Sequence, residues 1–565
     1  MCYQSGTEVA TGTKNMSDEN NPKVMSGGEA MVQALLDRGV DTVFGIPGIQ
    51  LDPLFDAFYA KRNEVRMVHT RHEQGAAFMA MGYAQASGRA GVFAVVPGPG
   101  LLNAAAALST AVAANTPVLG ITGQIPSYQI GLNYGMAHEL PDQLAMSRGI
   151  VGFAERANHP SEVPDLVDDA FKFMHGGRNK PAVIEMAPDH YKAEAPVVMT
   201  APSPVPTAPP PDPAKAQQMA ERLLRAKKPA IFVGGGVYDA RAELLALAER
   251  LGAPVVYSPS ALGVIDPDHP LAIDLLSAQE IWDELDAVLI VGTRFIAPAL
   301  AWGRADEIEF LRIDIDPTQI TKPSPAAVSL TTSAALGMAA VMAALPAAPN
   351  VPSALAAQTS TAKANMSAKL AALGDLPGYS DAIRRVLPRD GILATDVTQL
   401  AYYTRYGFPV YEPRTWLGPG YQATLGYGYP AALGAKMAQP HRKVVAVCGD
   451  GGFMFSSQEL ATAVHHNIPV VCVVVDNSSY GNVKTIQAQS FGARHIAVEL
   501  SNPDFVSMAH SFGMEAERAT TPEQFEEVLT RFIALEKPSL IHVPIGEVPS
   551  IWDLVKRPPS QGRAS

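Results

Sequence analysis

Two short polar motifs, each following an apolar run, carry most of the chemistry that this sequence offers. The apolar run 444–447 leads into Asp450, and the run 470–475 leads into Asn477. Short, β-branched runs bounded by turns are typical of buried parallel strands. Because ligands bind at the carboxyl ends of strands in open α/β sheets, we expect the two side chains to lie next to each other at such an edge.

Oxygen atoms are the ligands that this arrangement offers. Mg²⁺ prefers hard oxygen ligands and usually keeps phosphate oxygens in its shell. Asp450 supplies a charge, Asn477 supplies a neutral oxygen, and a backbone carbonyl at Ser479 could complete the protein's share. Three glycines allow close backbone approach to phosphate oxygens: Gly449, Gly451 and Gly452. The motif therefore predicts a magnesium ion that holds a diphosphate. An incidental aspartate at a helix start would not explain an asparagine at crossover spacing.

The bulk composition excludes several other classes of function. The length of 565 residues predicts about three to four domains, and no apolar run is long enough to cross a bilayer. The net charge of −12 argues against nucleic acid or an anionic membrane as the main partner. The three cysteines show no paired spacing, which predicts neither a disulfide framework nor a zinc site. Residues 1–22 lack the apolar core of a signal peptide, so we interpret them as a disordered tail and the protein as cytoplasmic.

Two linkers divide the rest of the chain into blocks that alternate strands and helices. Residues 195–213 are dense in proline, and residues 344–364 are rich in Ala, Pro, Ser and Thr and predict a loose connector. The predicted domains are then 23–197, 212–345 and 367–549, followed by a C-terminal tail at 550–565. Alternation of this kind predicts an α/β fold with parallel sheets.

The motif at 449–453, followed by Asp-Asn-Ser-Ser-Tyr-Gly at 476–481, resembles the thiamine-diphosphate motif. The segments 44–48, 71–77, 97–103 and 122–127 resemble the pyrimidine-binding domain of acetolactate synthase-like enzymes, and 395–399 and 423–432 resemble their diphosphate-binding domain. The resemblance implies three Rossmann-like, doubly wound parallel-sheet domains: pyrimidine-binding, middle and diphosphate-binding. It also implies thiamine diphosphate and Mg²⁺, and a homodimer or homotetramer with the active site between subunits.

The resemblance assigns roles to individual residues. It implies that Glu73 bonds N1′ of the aminopyrimidine and so promotes proton removal from the thiazolium C2; by itself, an acid at a helix start reads as a cap. Leu425 matches the bulky residue that props the cofactor into its bent shape. The metal ligands are Asp450, Asn477 and Ser479. Further cofactor contacts are Pro47, Gly48, Thr398, Gln399, Thr424, Gly449, Gly451, Gly452, Tyr480 and Gly481.

The substrate is less constrained than the cofactor. His138, Asn482 and Ile486 are candidates for the substrate pocket, and the stretch from Tyr480 lacks the tryptophan that acetolactate synthases usually carry there. We expect a small 2-keto acid or related ketone as substrate. The leading hypothesis is acetolactate synthase-like carboligation after decarboxylation. A non-oxidative 2-keto-acid decarboxylase or carbon–carbon lyase, a flavin-dependent oxidase similar to pyruvate oxidase, and a non-catalytic relative are the alternatives.

Two other features stay open at this point. A glycine-rich turn at 234–236 and the segment around Arg294 resemble the middle domain in which some relatives bind FAD, and an empty middle domain is an equal alternative. His465 and His466 are expected on the crossover helix between the two motif strands, in a packed or solvated role.

Overall fold

Three α/β domains follow one another along the chain. The computed structural model describes residues 21–304, 306–348 and 350–555, so residues 1–20 of the predicted tail lie outside the described residues. Each domain contains a six-stranded parallel sheet flanked by helices, which confirms the predicted fold class. The strand orders are β3-β2-β4-β5-β7-β6, β11-β10-β9-β12-β13-β14 and β16-β15-β17-β18-β20-β19.

The first domain also contains a separate two-stranded antiparallel sheet, in which β1 pairs with β8. Its elements are β1 (Lys23–Ser26), α1 (Gly27–Asp37), β2 (Thr42–Gly45), α2 (Asp52–Ala60), β3 (Arg66–His69), α3 (Glu73–Ser87), β4 (Gly91–Val95), α4 (Pro99–Ala114), β5 (Val118–Gly123), α5 (Gln143–Val151), β6 (Ala154–Ala157), α6 (Val163–His175), β7 (Ala182–Met186), α7 (Pro188–Lys192) and β8 (Glu194–Val197).

The central domain begins after the proline-rich linker. Its elements are α8 (Pro213–Arg225), β9 (Pro229–Val233), α9 (Arg241–Leu251), β10 (Val255–Tyr257), β11 (Ala272–Asp274), β12 (Ala287–Val291), α10 (Ile296–Ala301), β13 (Glu309–Asp314), β14 (Val328–Thr331) and α11 (Ala334–Ala344).

A helix leads from the central domain into the third. The elements are α12 (Ala356–Ala371), α13 (Leu376–Val386), β15 (Ile392–Thr395), α14 (Gln399–Gly407), β16 (Trp416–Leu417), α15 (Gly428–Ala438), β17 (Val444–Gly449), α16 (Asp450–Phe453), α17 (Glu459–His465), β18 (Val471–Asp476), α18 (Gly481–Ser490), α19 (Phe505–Ser511), β19 (Glu515–Arg518), α20 (Pro522–Leu535), β20 (Ser539–Pro544) and α21 (Trp552–Val555).

The third sheet places the two polar motifs side by side. β17 and β18 are parallel neighbours, with Val445 opposite Val471 and Gly449 opposite Val475. Asp450 therefore follows the end of one strand and Asn477 the end of the next, as the apolar runs predicted. The chain also changes direction across this sheet between β15 and β17, which are neighbours although β16 lies beyond β15. Such a switch point opens a crevice at the carboxyl ends of the strands.

Helices α3 and α15 join the first domain to the third by close backbone contact. Gly82 on α3 lies against the backbone of Ala431, and Gly434 on α15 lies against the backbone of Met79. A Cβ atom at either glycine would overlap these backbone atoms, so only glycine allows the two helices to approach this closely. The start of α3 is thereby held against the third domain.

The structure corrects the interpretation of the second linker. Residues 356–371 form α12, and its buried residues attach to two cores: Ala362 to the central domain, Met366 and Leu370 to the third. The first residues of the predicted C-terminal tail also belong to the folded part, because Ile551 is buried and Trp552 packs edge-on against Tyr402. In the described residues, no helix is both long and apolar enough to cross a membrane.

Candidate functional site

Asp450 is the first residue of α16 and lies at the bottom of the crevice, with 2% of its surface exposed. The side-chain amide of Asn502 donates one hydrogen bond to Oδ2 of Asp450 at 2.7 Å and a second one to Oδ1 of Asp476 at 2.9 Å. Asn502 thus holds two neighbouring carboxyl groups in place. Sequence analysis did not identify Asn502, because it lies in a loop after the two motifs and belongs to neither.

Asn477 and Ser479 follow β18 in a tight turn. Ser478, between them, has a left-handed backbone with φ of 50°, and the amide of Asn477 lies against Gly481. Ser479 pairs with Glu499 in an isolated antiparallel bridge, whose hydrogen bonds run from Tyr480 to Val498 and from Leu500 to Ser478. In such a pair the backbone groups of the central residue point away from the partner. The carbonyl of Ser479 is therefore available on the opposite side.

The pKa values of Asp450 and Asp476 are shifted in opposite directions. Burial, together with the negative charge of Asp476, raises the pKa of Asp450 above its usual value. Burial acts in the same direction on Asp476, but hydrogen bonds from the Ser478 N–H and from His542 hold its pKa below the usual value. In the described residues, no lysine or arginine forms an ion pair with Asp450. A divalent cation beside Asp450 would reverse this effect and favour the carboxylate, so the oxygen donor set fits Mg²⁺.

Three glycines next to Asp450 bring its turn close to other parts of the third domain. Gly449 lies beside Thr398, Gly451 beside the ring of Tyr480, and Gly452 beside the carboxyl group of Asp396. Thr398 is the N-cap of α14, and its side chain forms no capping bond. The N–H groups at the start of a helix favour anions such as phosphate.

Gln399, the first residue of α14, is 7% exposed, and its Oε1 has no hydrogen-bond partner among the described residues. A buried acceptor without a partner is costly, so a donor is needed to complete its hydrogen bonding. A diphosphate offers only acceptors, and the fit to a diphosphate therefore rests on the N–H groups at the start of α14.

Asp396 fixes the loop that carries Leu425. It is fully buried and accepts hydrogen bonds from the backbone N–H groups of Val397, Gly426 and Gly428. Burial raises the pKa of Asp396 to about 6, although these N–H groups act in the opposite direction. Because two of the donors follow Leu425 within three residues, Asp396 helps to set where that residue lies. The sequence analysis included Asp396 in the segment 395–399 but assigned it no role.

Glu73 begins α3 in the first domain and is half-buried. His72 is the N-cap, and its Nδ1 accepts a hydrogen bond from the Gln74 N–H. The carboxylate of Glu73 accepts a hydrogen bond from the side chain of Asn103 on α4 at 2.9 Å. The hydrogen bonds of Glu73 and of Asp450 thus stay within their own domains.

The remaining predicted cofactor contacts lie at the borders of the two domains. Pro47 is exposed, and Gly48 lies against Val96 in the first domain. The hydroxyl of Thr424 bonds to that of Thr110 on α4 at 2.7 Å, which ties the loop of Leu425 to the first domain. The side-chain amide of Gln74 lies 3.5 Å from the carbonyl oxygen of Leu425.

The candidate substrate residues come from two domains. His138 has a φ of 69°, and its Nδ1 lies 3.0 Å from Oε1 of Gln50 in the first domain. Asn482 and Ile486 lie on α18 in the third domain, a helix with no buried residue. Ile486 is 46% exposed.

Comparison with known proteins decides which enzymes the chain is related to. Three family profiles match in order: Thiamine pyrophosphate enzyme, N-terminal TPP binding domain, at residues 25–146, central domain at 216–344, and C-terminal TPP binding domain at 396–543. The chain is 35% identical over 521 residues to "Probable 2-ketoarginine decarboxylase AruI" of Pseudomonas aeruginosa, an alignment that covers 90% of this chain and 92% of that protein. It is 32% identical over 553 residues to "Probable acetolactate synthase large subunit" of Methanocaldococcus jannaschii, with 92% of each protein covered.

A further relative is the acetolactate synthase isozyme 2 large subunit of Escherichia coli, 32% identical over 555 residues, with 94% of this chain and 97% of that protein covered. The chain belongs to the thiamine-diphosphate-dependent enzymes of the acetolactate synthase-like family. It is thus an enzyme of the transferase and lyase type, with domains that bind thiamine diphosphate.

The central domain of this thiamine-diphosphate-dependent enzyme uses its glycine-rich turn for packing. Gly234 and Gly236 lie against the backbone of Gly292, so the turns after β9 and β12 approach each other closely. The guanidinium group of Arg294 donates to the carbonyl of Ala113 in the first domain and lies over the ring of Tyr421 in the third. These contacts account for the glycines and for Arg294 as packing residues within the protein.

Glu459 joins the first and third domains of the enzyme next to Glu73. It is fully buried on α17, and its carboxyl oxygens accept hydrogen bonds from the backbone N–H of Arg71 at 3.2 Å and 3.3 Å and from the hydroxyl of Thr462 at 2.5 Å. Burial raises the pKa of Glu459 to about 7. The sequence analysis missed this residue, because only the docking of the two domains buries it.

Glu459 is expected to make stability depend on pH. Its pKa is about 7 in the folded chain against an ordinary value of 4.5, so the folded state binds more protons between these two pH values. Stability is therefore highest at the acidic end of this window and falls as pH rises to about 7, by roughly 3 kcal/mol from this group.

Calorimetric melting of the wild type and Glu459→Gln at pH 5 and pH 7.5 tests this effect. The advantage of the wild type over the variant should shrink as pH rises, and this difference cancels the contributions of nearby histidines. Glu527→Gln, at an exposed position on α20, is the matched control. A pH-independent difference between wild type and Glu459→Gln would show that Glu459 is charged throughout.

Proposed function

We propose that the chain is a thiamine-diphosphate- and Mg²⁺-dependent enzyme that cleaves the bond between the carboxylate and the keto carbon of a 2-keto acid. The observation that carries this proposal is the pair Asp450 and Asn477 at adjacent strand ends, with Gly449 of the first strand beside Thr398 at the start of α14. When bound, thiamine diphosphate supplies the carbon nucleophile and the electron sink that such a cleavage needs.

The chain's own residues then have distinct tasks. Asp450, Asn477 and the carbonyl of Ser479 would hold Mg²⁺, and through it the diphosphate. The start of α14 with Thr398 and Gln399 would bind phosphate oxygens through N–H groups. Asp396 holds the loop of Leu425, and Leu425 would support the bound cofactor. Glu73 would exchange a proton with N1′ of the aminopyrimidine, as a general acid and base.

We further propose that a second copy of the chain completes the site, in a homodimer or homotetramer. Large apolar side chains are exposed on both halves: Tyr128 and Tyr134 in the first domain are 71% and 69% exposed, and Phe455 in the third is 51% exposed. Exposed apolar surface of this kind is typical of protein interfaces. The alternative to a shared site is a site built within one chain. It is favoured by the contact of Gln74 with the loop of Leu425.

The fate of the shortened substrate separates two candidate reactions. Carboligation to a second keto acid remains the leading one, in line with the acetolactate synthase relatives. Simple decarboxylation is the second, favoured by the alignment with a protein named as a 2-ketoarginine decarboxylase.

Product analysis by NMR distinguishes the two reactions. The enzyme with thiamine diphosphate and Mg²⁺ should be given pyruvate, a branched 2-keto acid and a guanidino 2-keto acid, each labelled at the carboxyl carbon. Labelled CO₂ with an acyloin supports carboligation, and labelled CO₂ with a free aldehyde supports decarboxylation. If none of the three substrates releases CO₂ from enzyme that has bound both cofactors, the proposed cleavage is wrong.

A further inference from the structure

Three histidines from two domains meet where the first domain docks on the third. His69 is the last residue of β3, His465 is the last residue of α17, and His466 follows it. The ring centroid of His69 lies 4.5 Å from that of His465 and 4.8 Å from that of His466, and the two neighbours are 4.8 Å apart. Their ligand nitrogens all lie within 4.8 Å of one another.

This spacing is close to what a tetrahedral metal ion needs. Zn²⁺ bound by imidazole nitrogens at about 2.1 Å places those nitrogens about 3.4 Å apart. Rotations of the three side chains would bring the present nitrogens into that range, because His465 is exposed and the other two are only half-buried. A water molecule could then occupy the fourth position.

The charged side chains around the cluster do not oppose a cation strongly. Arg66 and Arg71 are the positive side chains nearby, and both are exposed, so that solvent screens their repulsion.

One ring already has the support that metal-bound histidines usually have. Nε2 of His466 lies 3.2 Å from the backbone carbonyl oxygen of His69. A hydrogen bond to a carbonyl through one nitrogen orients the ring and leaves the lone pair of the other nitrogen free.

We propose that His69, His465 and His466 form a binding site for a zinc-like divalent metal ion that links the first domain to the third. Nitrogen ligands select ions such as Zn²⁺ or Co²⁺, whereas the oxygen ligands at Asp450 suit Mg²⁺. The cysteine spacing gave no reason to expect such a site, because its ligands are histidines that only the fold brings together. The ion would bind His69, which precedes Glu73 by four residues, and would stabilise the docking of α3.

Metal titration of the full chain, saturated beforehand with thiamine diphosphate and Mg²⁺, tests the proposal. The wild type should bind one more equivalent of Zn²⁺ than His465→Ala or the double variant His465→Ala/His466→Ala. The variants should lose at least about tenfold in Zn²⁺ affinity, and Co²⁺ should give the visible absorption of a tetrahedral site in the wild type alone. His441→Ala and His495→Ala, at exposed positions elsewhere in the third domain, should behave as the wild type.

The result is independent of the proposed reaction, because it is read as stoichiometry, absorption and melting temperature. Zn²⁺ should raise the melting temperature of the wild type and leave that of His465→Ala unchanged. Because His465 is exposed, its replacement is expected to leave the fold intact, and the melting curve without Zn²⁺ verifies this. Equal Zn²⁺ binding by wild type and His465→Ala, or no additional equivalent in the wild type, would overturn the proposal.

Discussion

Replacement of Glu73 by glutamine is expected to lower kcat by about 10²- to 10⁴-fold, the range by which a positioned acid–base group accelerates a reaction. Glutamine keeps the size of the side chain and its contact with Asn103, but it cannot exchange the proton. The affinity for thiamine diphosphate should change little, because the proposed diphosphate ligands all lie in the third domain. Steady-state kinetics and a direct cofactor titration measure the two quantities separately.

Glu194→Gln is the matched control, since Glu194 lies at an exposed position in the same domain and should keep full activity. Full turnover by Glu73→Gln would show that Glu73 has no role in proton transfer. A loss of cofactor binding without a change in kcat at saturation would assign Glu73 to binding alone.

Replacement of Asp450 by asparagine is expected to weaken Mg²⁺-dependent binding of thiamine diphosphate by more than about 100-fold. The change removes the negative charge of a proposed metal ligand, and loss of a metal ligand costs more than the 10- to 100-fold typical of groups behind the ligands. The backbone should not change, because asparagine has the same shape and can still pair with Asn502. Isothermal titration of thiamine diphosphate, with and without Mg²⁺, measures the effect.

Asp381→Asn, at an exposed position on α13, should bind the cofactor as the wild type does. The proposed metal site would be contradicted if Asp450→Asn bound thiamine diphosphate with unchanged affinity and unchanged dependence on Mg²⁺.

The adjacent positions of Asp450 and Asn477 could be predicted, because they follow directly from the local sequence pattern. The runs before Asp450 and Asn477 are β-branched and fully apolar, so they form neighbouring buried strands. The residues that support the site from other parts of the chain could not be predicted. Asn502 and Glu459 act through contacts with residues far away in sequence, and nothing in their own surroundings signals that role.

The connector between the second and third domains was interpreted wrongly for a different reason. Its composition of Ala, Ser and Thr suggested a loose segment, but the buried residues of α12 recur at helical spacing: Thr359, Ala362, Met366 and Leu370. Small residues at two of these positions hid the amphipathic pattern. Periodicity over this window would have identified the helix where composition did not.

The sharing of one site between two chains is the central claim, and mixed dimers test it most directly. Glu73→Gln and Asp450→Asn chains, each inactive alone, should be co-expressed with different tags and the mixed dimers purified by both tags. If Glu73 of one chain completes the site built on Asp450 of the other, each mixed dimer contains one intact site and should show about half of the wild-type activity. If the mixed dimers are as inactive as the two parent variants, both residues act within one chain and the shared site is contradicted.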